Sequence, residues 1–328
     1  MDWKEKFFEL YESGKSDDFS EALDLKRKNI PNRLYRYRTV TDENLQYRKN
    51  EIVEGELYLS HPDELNDPFE GCSLLQSTKP DIYTDKSAYM EYYRLQGKED
   101  EVKEIFADEN WFEKLITYTV ESVDGKISKD KSREALINVM CHAFEQFNSD
   151  LNNTIRKMNR VACFTTNPKN LPMWNHYTYG HKGICLEYDT SLISNVFYIN
   201  RLYPVKYVDR LPDMTYLMVH RKNSKFTMFD IMSMNKLNDW SYEDEWRMIL
   251  NAGSWFASAD DVPKDYWNSG QSIRFVLPSR VILGRNISEE HEKEIITYAN
   301  QVEIPVVKAR CTEYGFDFVN VQNVGDEK

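Results

Sequence analysis

The chain has 328 residues, of which 41% are hydrophobic, 29% charged and 13% aromatic, the proportions of a folded globular protein rather than a disordered or fibrous one. With 54 acidic against 42 basic residues the net charge is −12, which works against loose binding to nucleic acid or anionic membranes away from a local basic patch. The five cysteines form no Cys-x-x-Cys pair, so neither a disulfide framework nor a structural zinc is expected.

The opening Met1-Asp2-Trp3-Lys4-Glu5 is charged, and no run approaches the roughly 18 apolar residues of a membrane span. The expectation is a reduced, cytoplasmic protein without a membrane contact. Residues 1–31 read as a helical lead-in, with Trp3, Phe7, Phe8 and Tyr11, then Phe19, Ala22 and Leu25 at helical spacing, broken near Ser13-Gly14 and ended by Pro31. Leu34 to Val40 alternates tyrosine with arginine and predicts a strand. Residues 41–54 predict a helix capped at Thr41 and closed by Gly55, and Glu56 to Ser60 a second strand.

After Cys72 the pattern changes. Three polar segments with helical apolar spacing (87–106, 111–123, 130–158) predict a helical insertion over 78–158, with a core-packing stripe from Leu136 to Met158. Short strands return at 161–165, 183–188, 205–208, 245–251, 273–276, 281–284 and 305–309. A helix-forming run from Met214 to Asn235 and an amphipathic helix over 288–301 interrupt them. The sum is one α+β domain over 1–328, a mainly antiparallel sheet with flanking helices and a helical insertion.

The most informative stretch is Trp240 to Leu250. As one strand it puts Tyr242, Trp246, Met248 and Leu250 on one face and Glu243, Glu245 and Arg247 on the other. Two carboxylates two residues apart on a strand are roughly 6–7 Å apart at the backbone, close enough to serve one substrate. A solvated charged face is the ordinary explanation of a lone Glu-x-Glu. Arg36 and Arg38 share a strand face and suit phosphate, because a guanidinium offers a planar fork of donors; paired surface arginines are the plain alternative. Arg27, Lys28 and Arg33 extend that basic cluster, which could serve a phosphate-bearing small molecule.

Asn66-Asp67-Pro68 is good turn chemistry. Thr165 and Thr166 end a strand with two hydroxyls. Trp174 and Tyr177, three apart, would share a helix face and could wall a pocket for a flat ring, although core packing explains either alone. His176, His181, Cys163 and Cys185 fit no common zinc spacing. No glycine-rich phosphate loop, hydrolase elbow or His-Glu-x-x-His helix is present.

Together, Leu-Tyr-Arg-Tyr-Arg (34–38), Asn-Asp-Pro-Phe (66–69), Cys-Phe-Thr-Thr (163–166), Met-Trp-Asn-His-Tyr (173–177), His-Lys-Gly (181–183) and Tyr-Glu-Asp-Glu-Trp-Arg (242–247) resemble a bacterial domain-of-unknown-function family numbered 2971. More remotely, the order strand arginine, hydroxyl-ended strand and Glu-x-Glu is similar to ADP-ribosyltransferases of the Arg/Ser-Thr-Ser/Glu-x-Glu type, with threonine replacing both serines here. That resemblance implies an ADP-ribosyltransferase-like split sheet and an NAD-consuming enzyme that needs no metal. Glu245 would stabilise an oxocarbenium-like transition state through the ribose, and Glu243 would orient or deprotonate the acceptor. Arg36 or Arg38 would hold the pyrophosphate, Thr165 and Thr166 would fix Glu245 or the ribose, and Trp174 or Tyr177 would stack on nicotinamide.

By analogy the role would be a toxin-like effector in bacterial conflict or phage defence, with a protein or nucleic-acid acceptor and an antitoxin or regulatory partner. The competing readings are a non-catalytic nucleotide- or partner-binding module, and a metal-free nuclease using His61, His176 and Glu245. The transferase reading requires Arg36, Thr165/Thr166 and Glu245 to line one cleft.

Overall fold

In the computed structural model, which describes residues 2–13, 15–72, 86–122, 128–212, 225–256, 261–313 and 315–321, the tyrosine–arginine alternation of 33–38 becomes a strand inside an eight-stranded sheet. In chain order the strands are β1 (Arg33–Arg38), β2 (Glu56–Leu59), β3 (Asn159–Thr165), β4 (Ile184–Asp189), β5 (Leu202–Pro204) and β6 (Lys206–Val208). They continue with β7 (Asn235–Leu237), β8 (Glu245–Asn251), β9 (Gln271–Arg274), β10 (Arg280–Leu283), β11 (Val306–Thr312) and β12 (Gly315–Asn320). The large sheet runs β12-β11-β10-β4-β1-β3-β8-β5, antiparallel at every junction except the parallel β10–β11 pair. The remaining strands form two small ribbons, β2-β9 and β6-β7. The architecture is α+β, with helices set apart from a mostly antiparallel sheet.

The chain divides into two compact units. The first comprises Met1–Gly71, Arg156–Arg210 and Phe229–Lys328 and contains every strand named above. Cross-strand partners in a sheet point to the same side, so the register sorts its residues into two faces. One face carries Leu34, Phe164, Leu186, Trp246, Met248 and Val281 and builds the main core with Ile295 and Ala299 of the helix Glu289–Gln301. The other carries Tyr35, Tyr37, Cys185, Ile282 and Val307 and packs on Met173 and Trp174 of the helix Leu171–Tyr177. Both faces are covered, and strands β4 and β8 are accordingly buried along almost their whole length.

The second unit comprises Cys72–Ile155 and Leu211–Met228. Among its described residues the helices Lys86–Leu95, Glu99–Ala107, Trp111–Ser122 and most of Lys129–Met158 form, with no strand. Tyr89, Tyr93, Val102, Phe106, Leu115, Ile116 and Leu136 make its core. Of the expected apolar stripe, Leu136 and Ile155 are buried; the side chains of 139, 140, 143, 144 and 147 lie outside the described residues.

Several expectations change in detail. The lead-in becomes two helices, Trp3–Glu12 and Ser16–Lys28. Residues 41–54 form a short 3-10 turn, the α-helix Leu45–Lys49 and a π turn Asn50–Glu54, ended by Gly55 at φ 66. The expected strand from Trp240 exists only from Glu245; Asn238–Glu243 is a 3-10 turn, and Asp244 between them adopts a left-handed backbone (φ 42) that interrupts the extended run. Of the expected helix 214–235, Lys225–Met234 forms and Asn235 opens β7, while 214–224 lie outside the described residues. Strand β12, in which Phe316 and Phe318 alternate with Asp317, was not among the expected strands.

The His-Lys-Gly motif is explained by a corner. Tyr179, Gly180 and His181 all have positive φ, and a Cβ on Gly183 would sit 2.1 Å from the Arg38 carbonyl oxygen. Gly183→Ala should therefore destabilise the fold by about 1–3 kcal/mol through forced backbone movement. Gly97→Ala, where a Cβ meets nothing within 4 Å, should cost only the left-handed penalty of about 1–2 kcal/mol. Thermal denaturation checks this; a Gly183→Ala variant as stable as the wild type would contradict the close approach.

Candidate functional site

The turn before β8 is held from three sides. Asp244 is one of four described non-glycine residues with positive φ, a conformation that the short polar side chain of aspartate tolerates better than most. The Thr165 hydroxyl donates to the Glu243 carbonyl at 2.5 Å, the Thr166 hydroxyl donates to the Asp244 carboxylate, and Lys4 approaches the same carboxylate at 3.2 Å. This turn bends Glu243 back beside Glu245 although only Glu245 belongs to the strand.

Both carboxylates meet one ammonium. Lys236 Nζ donates to Glu243 Oε2 at 2.6 Å and to Glu245 Oε2 at 2.9 Å. Arg247 Nε donates to Glu245 Oε1 at 2.8 Å, and its two terminal nitrogens fork onto Glu70 at 2.6 and 2.9 Å. The Tyr177 hydroxyl donates to Glu243 Oε1 at 2.6 Å, and the Glu245 N–H donates to the Tyr207 hydroxyl at 2.9 Å. The result is an alternating ladder of charges, Glu243–Lys236–Glu245–Arg247–Glu70, whose side chains are at most 6% exposed. These are not the carboxylates of a solvated strand face.

Burial and charge pull the two glutamates in opposite directions. Burial raises the Glu245 pKa, but Arg247 and Lys236 overcome it and hold the group at about 2. For Glu243 burial dominates; Lys236 opposes it, the Glu245 charge adds to it, and the net effect raises its pKa. Lys236 is itself held above its ordinary value because Glu245 and Glu243 outweigh the burial that would lower it. A carboxylate pair with separated pKa values can divide its roles between a permanent charge and a proton carrier. Trp240, Tyr242 and His176 rim the ladder: Lys236 Nζ lies 4.7 Å from the Trp240 ring centre, and Tyr242 stands 6.4 Å from Trp240 and edge-on to His176.

The structure therefore brings together Glu243, Glu245, Thr165, Thr166 and Tyr177, and separates Arg36, Arg38 and Trp174 from them. The reason for the arginines is parity. Tyr35 pairs with Thr165, which pairs with Glu245, so Arg36, one residue on, faces the other side of the sheet and pairs with Leu186. The single-cleft expectation fails at that point. Trp174 is fully buried, donates its indole N–H to the Pro168 carbonyl and stacks on His181, so it is core and not a ring-binding wall.

The two threonine hydroxyls pin the turn rather than Glu245 or a ribose. His61 caps the turn Pro62–Glu64 through Nδ1. Among the described residues no group of three or more His, Cys, Asp or Glu could hold a metal ion.

Lys236, Glu70 and Tyr207 are the members that sequence reading missed. Lys236 lies in a three-residue strand, and Glu70 follows the Asn-Asp-Pro-Phe loop, which forms the expected Asx turn with Asp67 Oδ1 accepting the Phe69 N–H. No local pattern distinguishes either residue from a surface charge.

Arg247→Met would leave Glu70 and Glu245 buried without their shared cation, and should destabilise by about 3–5 kcal/mol at neutral pH. Lys4→Ala, at the half-exposed Asp244, should cost about 0–1 kcal/mol. The pH dependence should also change. In the wild type, Glu245 stabilises above the ordinary carboxylate range, and its contribution is lost as pH falls toward about 2. In Arg247→Met, Glu70 and Glu245 would lose that cation's pull and their pKa values would rise, so that variant should gain more stability on acidification than the wild type, which denaturant titrations at pH 5 and 7.5 would measure.

Comparison with known proteins reaches part of this site. No curated protein and no solved structure matches the chain. Residues 173–248, the segment that carries Tyr177, Tyr207, Lys236, Glu243, Glu245 and Arg247, match the family model described as a protein of unknown function, DUF2971.

Proposed function

We propose that the protein is a glycosyl-transfer enzyme working through Glu245 and Glu243, with NAD-dependent ADP-ribosyl transfer as its reaction. The observation that carries this reading is the carboxylate pair held on one buried lysine with pKa values displaced in opposite directions. The two contacts through Lys236 Nζ, at 2.6 and 2.9 Å, hold both carboxylates against one point, the proximity that a pair serving one glycosidic centre needs.

In this reaction the bond between ribose C1′ and the nicotinamide nitrogen breaks, its electron pair leaves with nicotinamide, and positive charge develops on the ribose. Glu245, ionised at any working pH, supplies the fixed negative charge that favours that state. Glu243 suits the second role: its raised pKa makes it a better acceptor for the proton released when a nucleophile bonds to C1′. Tyr177 and Lys236 orient it.

Arg36 and Arg38 have no part in this site, and among the described residues the two cations that touch the carboxylates are committed to the ladder. The macromolecular acceptor and a toxin-like role in bacterial conflict follow from the resemblance alone. The closure of the ladder favours one other reading, a non-catalytic module that uses the rim of Trp240, Tyr242 and His176 to bind a nucleotide or a partner.

Labelled NAD separates the two. The transferase reading expects release of nicotinamide, with Glu245→Gln losing roughly 10²–10³ in rate, about 3–4 kcal/mol, while binding persists. Transfer to an acceptor should rise with pH through the elevated Glu243 pKa, and Glu243→Gln should flatten that limb while sparing NAD hydrolysis. Binding of NAD without turnover by the wild type would support the module, and near-equal activity in both folded variants would remove these glutamates from the chemistry.

A further inference from the structure

On the sheet face opposite Glu245, three arginines gather near one carboxylate, which pairs with two of them. Arg36 and Arg38 project from β1, and Arg48 comes from the helix Leu45–Lys49. Glu51, in the following π turn, pairs with Arg38 at 2.6 Å and with Arg48 at 2.7 Å. Arg36 has no ion pair; one terminal nitrogen donates to the Tyr58 carbonyl at 2.6 Å.

The cluster is deep and its donors are not used up. Arg36, Arg48 and Tyr188 are 5%, 6% and 2% exposed, yet Arg36 Nη1, Arg48 Nε and the Tyr188 hydroxyl have no hydrogen-bond partner. Tyr188 lies within electrostatic reach of all four charged groups. The Arg38 side chain, 19% exposed, connects the cluster to solvent.

Three guanidinium groups against one carboxylate leave two positive charges uncompensated in a buried place, an arrangement that costs several kcal/mol per ion unless a counter-charge arrives. Arginine does not escape by deprotonation at neutral pH. Burial and neighbouring arginines bring Arg36 down to about 10 and Arg48 to about 9, and both remain cationic at pH 7. An occupant must therefore carry about two negative charges and accept several N–H and O–H donors. A phosphate group does both: near pH 7 it carries about −1.5 to −2 and offers three acceptor oxygens.

We propose that Arg36, Arg38, Arg48 and Tyr188 form a phosphate-binding site, taking free phosphate or the terminal phosphate of a small molecule. It is independent of the carboxylate ladder, being on the other side of the sheet. The anion completes the hydrogen bonding of Arg36 Nη1, Arg48 Nε and the Tyr188 hydroxyl, while Glu51 holds Arg38 and Arg48 in place.

The test is thermal denaturation of the full chain at pH 7 in inorganic phosphate, in pyrophosphate and in chloride of matched ionic strength. The expected result is a saturable rise in Tm of roughly 2–5 °C with either phosphate compound and none with chloride. Tighter binding of pyrophosphate than of phosphate would identify a terminal phosphate on a larger molecule as the occupant, and the reverse would identify the free ion. Arg48→Met removes one excess charge but leaves Glu51 paired with Arg38. Without phosphate it should be no less stable than the wild type, and it should lose the phosphate response. Arg38→Gln, at the more exposed position, gives the same reading if Arg48→Met does not fold. A wild-type Tm that follows ionic strength alone, or a phosphate response that survives in a folded variant, would overturn the site.

Discussion

The bidentate contact of Arg247 with Glu70, continued through Glu245 to Lys236 and Glu243, is the constraint to which the rest of the β8 end is fitted. Five charges out of water are tolerable only as an alternating series in which every oxygen and N–H finds a partner. The five members arrive from four parts of the chain. The loop around Asp67 presents Glu70, with Arg156 donating to the carbonyls of Pro68 and Glu70; β7 presents Lys236; the Asp244 turn presents Glu243; β8 presents Glu245 and Arg247. Ser233 adds its carbonyl to Arg247 and its hydroxyl to Asn159. Because no segment supplies two adjacent links except β8, the ladder ties four loops and strands to one register, and its specificity lies in that cross-linking more than in net stabilisation.

The same sheet separates two charged systems by a single residue of parity. Tyr35 and Tyr37 point with Glu245 and Thr165, whereas Arg36 and Arg38 point with Phe164 and Leu186 into the main core. An alternation of tyrosine and arginine reads in sequence as one half-buried strand with a polar side. In the structure neither side is polar in the ordinary sense: the tyrosines pack on Trp174 and its helix, and the arginines are drawn into the Glu51 cluster. Placing two guanidinium groups in a core makes sense only with the anion chemistry around them, because an isolated guanidinium there would cost more than the neighbouring leucines contribute.

Much of the fold was legible because it rests on local signals. The 2-residue alternation of 33–38, the Gly55 stop, the helical spacing of 130–158 and the Asx turn at Asp67 each depend on nearest neighbours in the chain, and each appears close to where the residues put it. The candidate site was legible only in part, and for a physical reason. Glu243 and Glu245 announce themselves as a pair, but Asp244 between them takes a left-handed backbone that is set by Thr165, Thr166 and Lys4 from distant strands and helices. A pattern of alternating faces cannot represent such a turn. Lys236 and Glu70 carry no periodicity at all, and only the tertiary fold distinguishes them from surface charges. The arginines were visible as a motif, yet which face they occupy is decided by strand pairing through Tyr35, a long-range fact.

The family segment adds a constraint on where chemistry can reside. Residues 173–248 hold Tyr177, Tyr207, Lys236 and both catalytic candidates together with Arg247, but not Glu70, which supplies the far end of the ladder, nor Thr165 and Thr166, which fix the turn. Deprived of Glu70, Arg247 would turn its whole charge on Glu245; deprived of the threonine contacts, the Asp244 backbone would lose what offsets its strained conformation, and Glu243 would drift from Lys236. The segment therefore contains the carboxylate pair without the parts that set its charge and geometry. The sheet, with β3 paired to β8 and β1 to β3, is the frame on which Glu245 and the neighbouring Glu243 acquire their unequal pKa values.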